Sequence, residues 1–341
     1  MTWGRGPVRA TSDLHLTEST ASYVFAALQQ LREDAEATGG ATVIVGDVFD
    51  DAVQMHMPTW NRLADYLATW PSELWVVVGN HDQYGPRYYD NCLQHLRGGA
   101  GGALHVVSRP TWSWLGRMIP YLREEQDFVA ALEPGPGDIP PTGAPWLRDM
   151  VWAHQGFRGA YRNAMSVDRD GFAVSAFPKG KVICSGHYHM PQVVGPVVYC
   201  GSPYQTSFAE EGQRKGWLRW DDPFASLVPR RIEFDLNAPK HYTVHWDPAA
   251  GPPARPPEAR DTDKIRVVTM AGRSVALDRK AQLDKAGLAG VPVLAKPDYG
   301  TRVAVQADEG LEAAALRWVL ANSDLPHEDI ADLARDLPWN G

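Results

Sequence analysis

The chain has 341 residues, 44% of them apolar, enough for one large domain plus a smaller one and far too many for a disulfide-stapled mini-protein. Charged residues at 22% and aromatics at 10% exclude disorder as the main state, because enough surface can be buried to offset the conformational entropy of folding. A formal charge of -8 excludes a protein that coats nucleic acid by bulk electrostatics, so any DNA or RNA site has to be local.

In chain order, Met1 to Ala10 lacks an apolar signal core, and no run approaches the ~20 apolar residues of a membrane span. Val8 to Ser12 reads as a buried strand. Val24, Ala27, Leu28 and Leu31 recur at helical spacing, and Gly39-Gly40 stops that helix. Thr42 to Val45 is a second strand. Pro58 opens a second helix towards Trp70, which Pro71 closes. Leu74 to Val78, Met150 to Ala153 and Val182 to Cys184 read as further buried strands, and their alternation with helices predicts a layered α/β core. Between them, residues Glu133 to Pro145 read as an exposed loop. Beyond Cys200 the runs Trp217 to Trp220, Ser226 to Phe234 and Tyr242 to Trp246 suggest an antiparallel sheet that completes the first domain. Pro248 to Glu258 has the composition of an extended linker. A strand at Lys264 to Thr269 and a helical pattern follow. Leu311, Ala314, Ala315 and Trp318, then Ile330, Leu333, Ala334 and Leu337, mark two amphipathic helices in an acidic tail that suits solvent or a protein partner better than phosphate. The expected division is therefore 1–247, a Pro-rich linker over 248–260, a small α/β domain over 261–306 and a helical segment over 307–341. Cys92, Cys184 and Cys200 are odd in number and lack CxxC spacing, which fits a reduced cytoplasmic setting.

The chemistry is carried by polar residues just beyond the carboxyl ends of these strands, where open α/β sheets present their ligands. They are Asp13-Leu14-His15, Gly46-Asp47-Val48-Phe49-Asp50, Gly79-Asn80-His81-Asp82, His154 and Gly186-His187-Tyr188-His189. On an extended chain, Asp-x-His and His-x-His point both side chains the same way, so each pair can grip one ion. Hard oxygen from Asp and Asn mixed with imidazole nitrogen suits Mn, Fe or Zn. Asp13, His15, Asp47, Asn80, His154, His187 and His189 are too many for one ion with an open position but serve two if Asp47 bridges. Two such ions favour phosphoester hydrolysis. Singly, an Asp-x-His reads as a satisfied polar pair and Gly-Asn-His-Asp as a turn; five of the eleven histidines in one ordered series do not. His56, His95, His105, His241, His245 and His327 are left as structural or surface residues.

This series resembles that of the calcineurin-like metallophosphoesterases, with their pattern D-x-H, G-D-x-x-D, G-N-H-D, a lone H and G-H-x-H. The resemblance implies a four-layered α/β/β/α sandwich with a small capping domain and carboxy-terminal helices. It also implies that Asp13, His15 and His189 share one metal with Asp47, while Asn80, His154 and His187 share the other. His81 would then act as an acid or transition-state stabiliser, oriented by Asp82. Downstream, Gly186-His187-Tyr188-His189-Met190-Pro191-Gln192, Tyr199-Cys200-Gly201-Ser202-Pro203, Ser207-Phe208-Ala209-Glu210 and Lys215-Gly216 are similar to the SbcD-type double-strand-break repair nucleases. That likeness implies two divalent ions, most readily Mn, a DNA substrate, a homodimer, and docking of the carboxy-terminal helices on an SMC-like coiled-coil ATPase in a bacterial cell or phage-infected host. Ser202 in its tight turn, together with Arg158, Arg162 and Lys179 in a basic interval, are the candidate DNA contacts. Thr17 departs from the first motif, which usually continues D-x-H-L-G. A stand-alone phosphatase or nucleotide phosphodiesterase, and an inactive phosphoesterase scaffold, are the alternative readings.

Overall fold

The computed structural model describes residues 6–85, 90–96, 104–135, 149–164, 166–223, 226–271 and 280–295. The helices expected over 307–341, and residues 136–145 of the expected loop, lie outside the described residues.

The chain starts with β1 (Val8–Thr11), α1 (Ala21–Thr38), β2 (Ala41–Val45), α2 (Met57–Ala68), β3 (Glu73–Val77) and β4 (Leu104–Val107). The four strands pair in parallel in that order. β1, β2 and β3 are buried along their whole length, as apolar parallel strands covered on both faces must be. α1 turns Val24, Ala27, Leu28, Leu31 and Ala35 inward and stops at Gly39, whose φ of 66° lets its N–H reach the Ala35 carbonyl. α2 begins with Pro58 in its first turn and buries Leu63 and Leu67.

A second sheet follows: β5 (Thr111–Ser113), β6 (Gly116–Ile119), α3 (Glu125–Ala131), β7 (Met150–His154), a small hairpin of β8 (Tyr161–Asn163) and β9 (Ser166–Val167), then β10 (Val182–Gly186), β11 (Gln192–Val194) and β12 (Val197–Tyr199). Here β6, β7, β10 and β12 are parallel neighbours, and β5 and β11 close the two edges antiparallel. β13 (Gly216–Trp220) and β14 (Arg230–Glu233) then return to the first sheet, where β13 runs antiparallel beside β1. The antiparallel strands expected after Cys200 join an existing sheet: β1 offers an open edge, where β13 pairs, and the shortened run at Arg230–Glu233 pairs with β13.

Alternation along the strands builds the layers. Val43 and Val45 face Met118, Trp152 and Cys184 across the two sheets, whereas Ile44 packs with Leu28, Leu31 and Leu63 from the helices. On the far side of the second sheet, Val151, Ala153 and Ile183 pack with Phe128 of α3. The result is an α/β/β/α sandwich. Cys92, Cys184 and Cys200 are all buried thiols.

The contacts divide the chain into two compact units, Met1–Val244 with Arg255–Arg266, and His245–Ala254 with Val267–Gly341. The division therefore cuts through β15 (His241–Trp246) and β16 (Lys264–Thr269). Within the second unit, α4 (Ala281–Lys285) precedes β17 (Val293–Ala295), which pairs in parallel with Val267, Val268 and Thr269. Among the described residues no helix is long and apolar enough to cross a membrane.

Candidate metal centre

The ligand candidates all emerge at the carboxyl ends of parallel strands. β1 delivers Asp13 and His15, β2 delivers Asp47, β3 delivers Asn80, β7 ends on His154, and β10 leads into His187 and His189. The first two loops are tied together by their backbones: the N–H groups of Asp13, His15 and Leu16 donate to the carbonyls of Gly46, Asp47 and Val48 at 3.0, 3.1 and 2.9 Å. The extended geometry expected for the Asp-x-His and His-x-His pairs is not what brings them together. Asp13, His15, Asp47 and His187 have φ values of 53°, 43°, 51° and 91°, so the chain kinks through the left-handed region at these four ligand candidates. Such a residue costs about 1–2 kcal/mol, and Asp and His tolerate it better than branched side chains. The backbone bonds between loops offset this cost. Two glycines make room: a Cβ at Gly46 would collide with the His154 ring, and one at Gly79 with the Asp47 carboxylate.

Asp13, His15 and His189 converge as one group of possible ligands, and Asp47, His154 and His187 as another. Asn80 joins the second, its Oδ1 lying 2.9 Å from His187 Nδ1 and 3.1 Å from His154 Nε2. Asp47 is buried between the two. Its Oδ2 is 3.1 Å from His154 Nε2 and 4.0 Å from His15 Nε2, while its Oδ1 accepts the His81 N–H at 2.9 Å. The Nε2 atoms of His15 and His189 face each other at 2.9 Å. Four imidazoles, two carboxylates and an amide oxygen aimed at two neighbouring points fit a pair of divalent cations in chemistry and in number.

The imidazoles are oriented from behind. His154 Nδ1 is 2.8 Å from the Val45 carbonyl, which fixes it as the protonated nitrogen and leaves Nε2 for an ion. His189 Nδ1 lies 3.0 Å from Glu210 Oε1 and 2.9 Å from Thr206 Oγ1. His15 Nδ1 makes an ionic contact with Asp50 at 3.1 Å, short of full hydrogen-bond alignment. Glu210 is itself buried and holds Lys215 Nζ at 2.6 Å. Burial alone would raise its carboxyl, but the His189 hydrogen bond and the Lys215 ammonium hold it well below the usual carboxylate range.

In the ion-free protein the charges sort themselves. Burial opposes the Asp47 charge, yet His154, with His15 and His81, holds that carboxyl far below its ordinary value. Burial likewise opposes charging His154, but Asp47 outweighs it and lifts the imidazole to about 9. His187, lowered first by burial and then by charged His154, falls to about 4.

Two expectations need correction. Asp82 does not orient the His81 ring. It is fully buried and accepts the backbone N–H groups of Val48 and Phe49 at 3.0 Å each and of Gly79 at 2.9 Å, so it locks the Asp47 loop onto the Asn80 loop. The His81 ring is held instead by the Asp50 carbonyl, 2.6 Å from Nδ1. Ser202 cannot meet a phosphate: only 1% exposed, its hydroxyl donates to the Tyr204 carbonyl at 2.8 Å and accepts from Lys215 Nζ at 3.0 Å. Arg162 is exposed, but its guanidinium is answered by the buried Asp168 carboxylate. Arg158 and Lys179 are exposed on the same stretch of chain.

Reasoning on the sequence gave no role to Asp50 or Glu210, although the G-D-x-x-D spacing and the acid after Ser207-Phe208 were visible. Tyr121 had no such signal; its ring lies 6.0 Å from that of His187, nearly parallel to it. A cavity of about 430 Å³ opens over His15, His81 and His189.

The sequence profile of the calcineurin-like phosphoesterases matches residues 6–191, more than half of the chain and the stretch that carries every ligand candidate. No curated protein matches the chain.

Proposed function

The chain belongs to the calcineurin-like phosphoesterase family, and from that premise we propose that it is a two-metal DNA phosphodiesterase, the nuclease subunit of an SbcCD-like repair and recombination complex. The observation that carries the reading is the position of Asp47 Oδ2 between His154 and His15, at 3.1 and 4.0 Å. One ion would be held by Asp13, His15, His189 and Asp47, the other by Asn80, His154, His187 and Asp47. When bound, two such divalent ions, for which Mn suits the mixed donors, supply a clamp on phosphate and a water of lowered pKa. The protein's own groups do the rest. With the His81 Nδ1–H committed to the Asp50 carbonyl, Nε2 is the ring nitrogen left for the leaving oxygen, and the imidazolium form would give its Nε2 proton there and return to the neutral ring. Asp82 keeps the Asp47 and Asn80 loops in register, so the shared carboxylate does not drift from the ligands on either side.

The nuclease branch draws support from the segment between Gly186 and Gly216. Its family-like residues do structural work for one ligand: Gly201 adopts φ of 74° beside the His189 carbonyl, Ser202 donates its N–H to that carbonyl at 3.1 Å, and Glu210 takes His189 Nδ1. The same reading assigns a homodimer as the working form and an SMC-like coiled-coil ATPase as partner, docked on the helices expected over 307–341. A stand-alone phosphatase or nucleotide phosphodiesterase is the second reading, favoured by a cavity of about 430 Å³, which is enough for a single nucleotide. Manganese-dependent degradation of linear duplex DNA, set against hydrolysis of an aryl phosphodiester, tests the first reading. Rapid hydrolysis of nucleotides with none of DNA, even when a coiled-coil ATPase is supplied, would replace it with the second.

A further inference from the structure

The cavity over the metal centre extends past the ligands. Beyond them its lining includes Thr17, Ser19, Thr20 and Tyr23 from the segment that opens α1, and His241 and Lys264 from β15 and β16, with Asp50 the single carboxylate among its described lining residues. Thr17 sits where the family motif has glycine, so this lining carries a hydroxyl by the choice of this chain. Thr17 Oγ1 lies 3.0 Å from Ser19 Oγ and can donate to it, which leaves the exposed Ser19 hydroxyl a hydrogen to offer. These residues lead into α1, whose first turn holds no acid and whose N-cap Thr20 offers its N–H to Thr17 Oγ1 at 3.1 Å.

The same lining carries a cation. Lys264 is exposed and pairs with no carboxylate among the described residues. His241 is 8% exposed, and its Nδ1 has no hydrogen-bond partner among the described residues, although its backbone N–H donates to Gln205 at 2.8 Å. The accessible cation of this lining is therefore the Lys264 ammonium, with the His241 ring buried beside it.

We propose that this part of the cavity binds the phosphate adjoining the scissile one in a nucleic-acid strand, so that the enzyme favours substrates with at least two phosphates. The inference rests on the phosphodiesterase reading and sharpens it. A substrate with a single phosphate fills only the part of the cavity beneath His15, His81 and His189, whereas a strand reaches Lys264 and the hydroxyls.

Three dinucleotides test it with Mn supplied: dithymidylate with only its internal phosphodiester, and the same molecule with an additional 5′-terminal or 3′-terminal phosphate. Cleavage of the internal bond is followed by chromatography. The wild-type protein is expected to show a KM about fivefold lower on one of the phosphorylated forms than on the unphosphorylated one, the size of one charge-assisted contact. Lys264→Ala and, separately, Thr17→Ala are each expected to erase most of that ratio, with thermal unfolding checked for both. Equal KM values on all three substrates, or a ratio that survives both substitutions, would overturn the subsite and leave the phosphodiesterase reading standing. If no dinucleotide is cut while an aryl phosphomonoester is, the phosphodiesterase reading falls and the subsite goes with it.

Discussion

The two groups of candidate ligands lie on either side of Asp47 but are braced by different chemistry. Around His154 and His187 the bracing is neutral: a backbone carbonyl behind one ring, an amide oxygen touching both, and complete burial of His154. Around His15 and His189 the bracing is anionic, with Asp50 behind one ring and Glu210 behind the other, and Asp13 adds a third carboxylate. Negative charge behind an imidazole raises its basicity towards a cation. In the two-metal reading this difference predicts unlike sites, the Asp13 group holding the tighter ion and the Asn80 group the one that exchanges more readily.

The most damaging test is Asp47→Asn, which removes the carboxylate common to both groups. Loss of kcat/KM by about a thousandfold or more is expected, with elemental analysis showing fewer than two ions per chain. A variant that kept both ions would remove the pivot of the comparison. His81→Gln is expected to lower kcat by about 10²–10⁴ while both ions remain, since its ring belongs to neither group in this reading. Next comes Glu210→Gln, which keeps the shape but drops the charge behind His189. Calorimetric titration with Mn should show the tighter class weakened by about 10–100-fold and the weaker class unmoved, and equal weakening of both would show that the bracing does not distinguish them. Asp50→Asn should act in the same direction but less, because the Asp50 side chain is 56% exposed and solvent screens it.

The smallest effect concerns the ion-free protein. Folding raises His154 from 6.5 to about 9, so its charged form stabilises the fold fully below pH 6.5, and that contribution disappears as pH rises through 9. Thermal unfolding in excess chelator should therefore show a midpoint that falls by a few degrees between those values. His154→Gln should flatten the slope, and a slope that persists in that variant would assign it to another group.

The ordered ligand series was legible because it is tied to chain punctuation: short apolar runs end, and a Gly, Asp, Asn or His follows at once. The layered α/β core was legible for a similar reason, since β2, β3, β7 and β10 are mostly apolar, while the order of the four layers came from the family resemblance. Edge strands were not. β11 carries an exposed valine and β5 spans three residues, so neither has the periodicity of a covered strand. Backbone conformation at the ligands was also hidden, because nothing in the letters Asp-Leu-His distinguishes alternating extended side chains from two left-handed kinks. Asp82 shows the limit of motif reasoning. A carboxylate next to a histidine suggests a pair, but adjacent residues on a tight loop point apart, and three nearby N–H groups offered a nearer partner. His241 shows the reverse limit: a lone histidine far from any motif gave no signal, and only the fold carried it to the cavity wall.

The backbone bonds that join the Asp13–Leu16 loop to the Gly46–Val48 loop extend the parallel ladder of β1 and β2 beyond the strands themselves. A receptacle built into a sheet in this way keeps its form when emptied. Stripping and restoring the ions should accordingly return activity at the pace of ion entry, without the lag that a chain would need to rebuild its pocket.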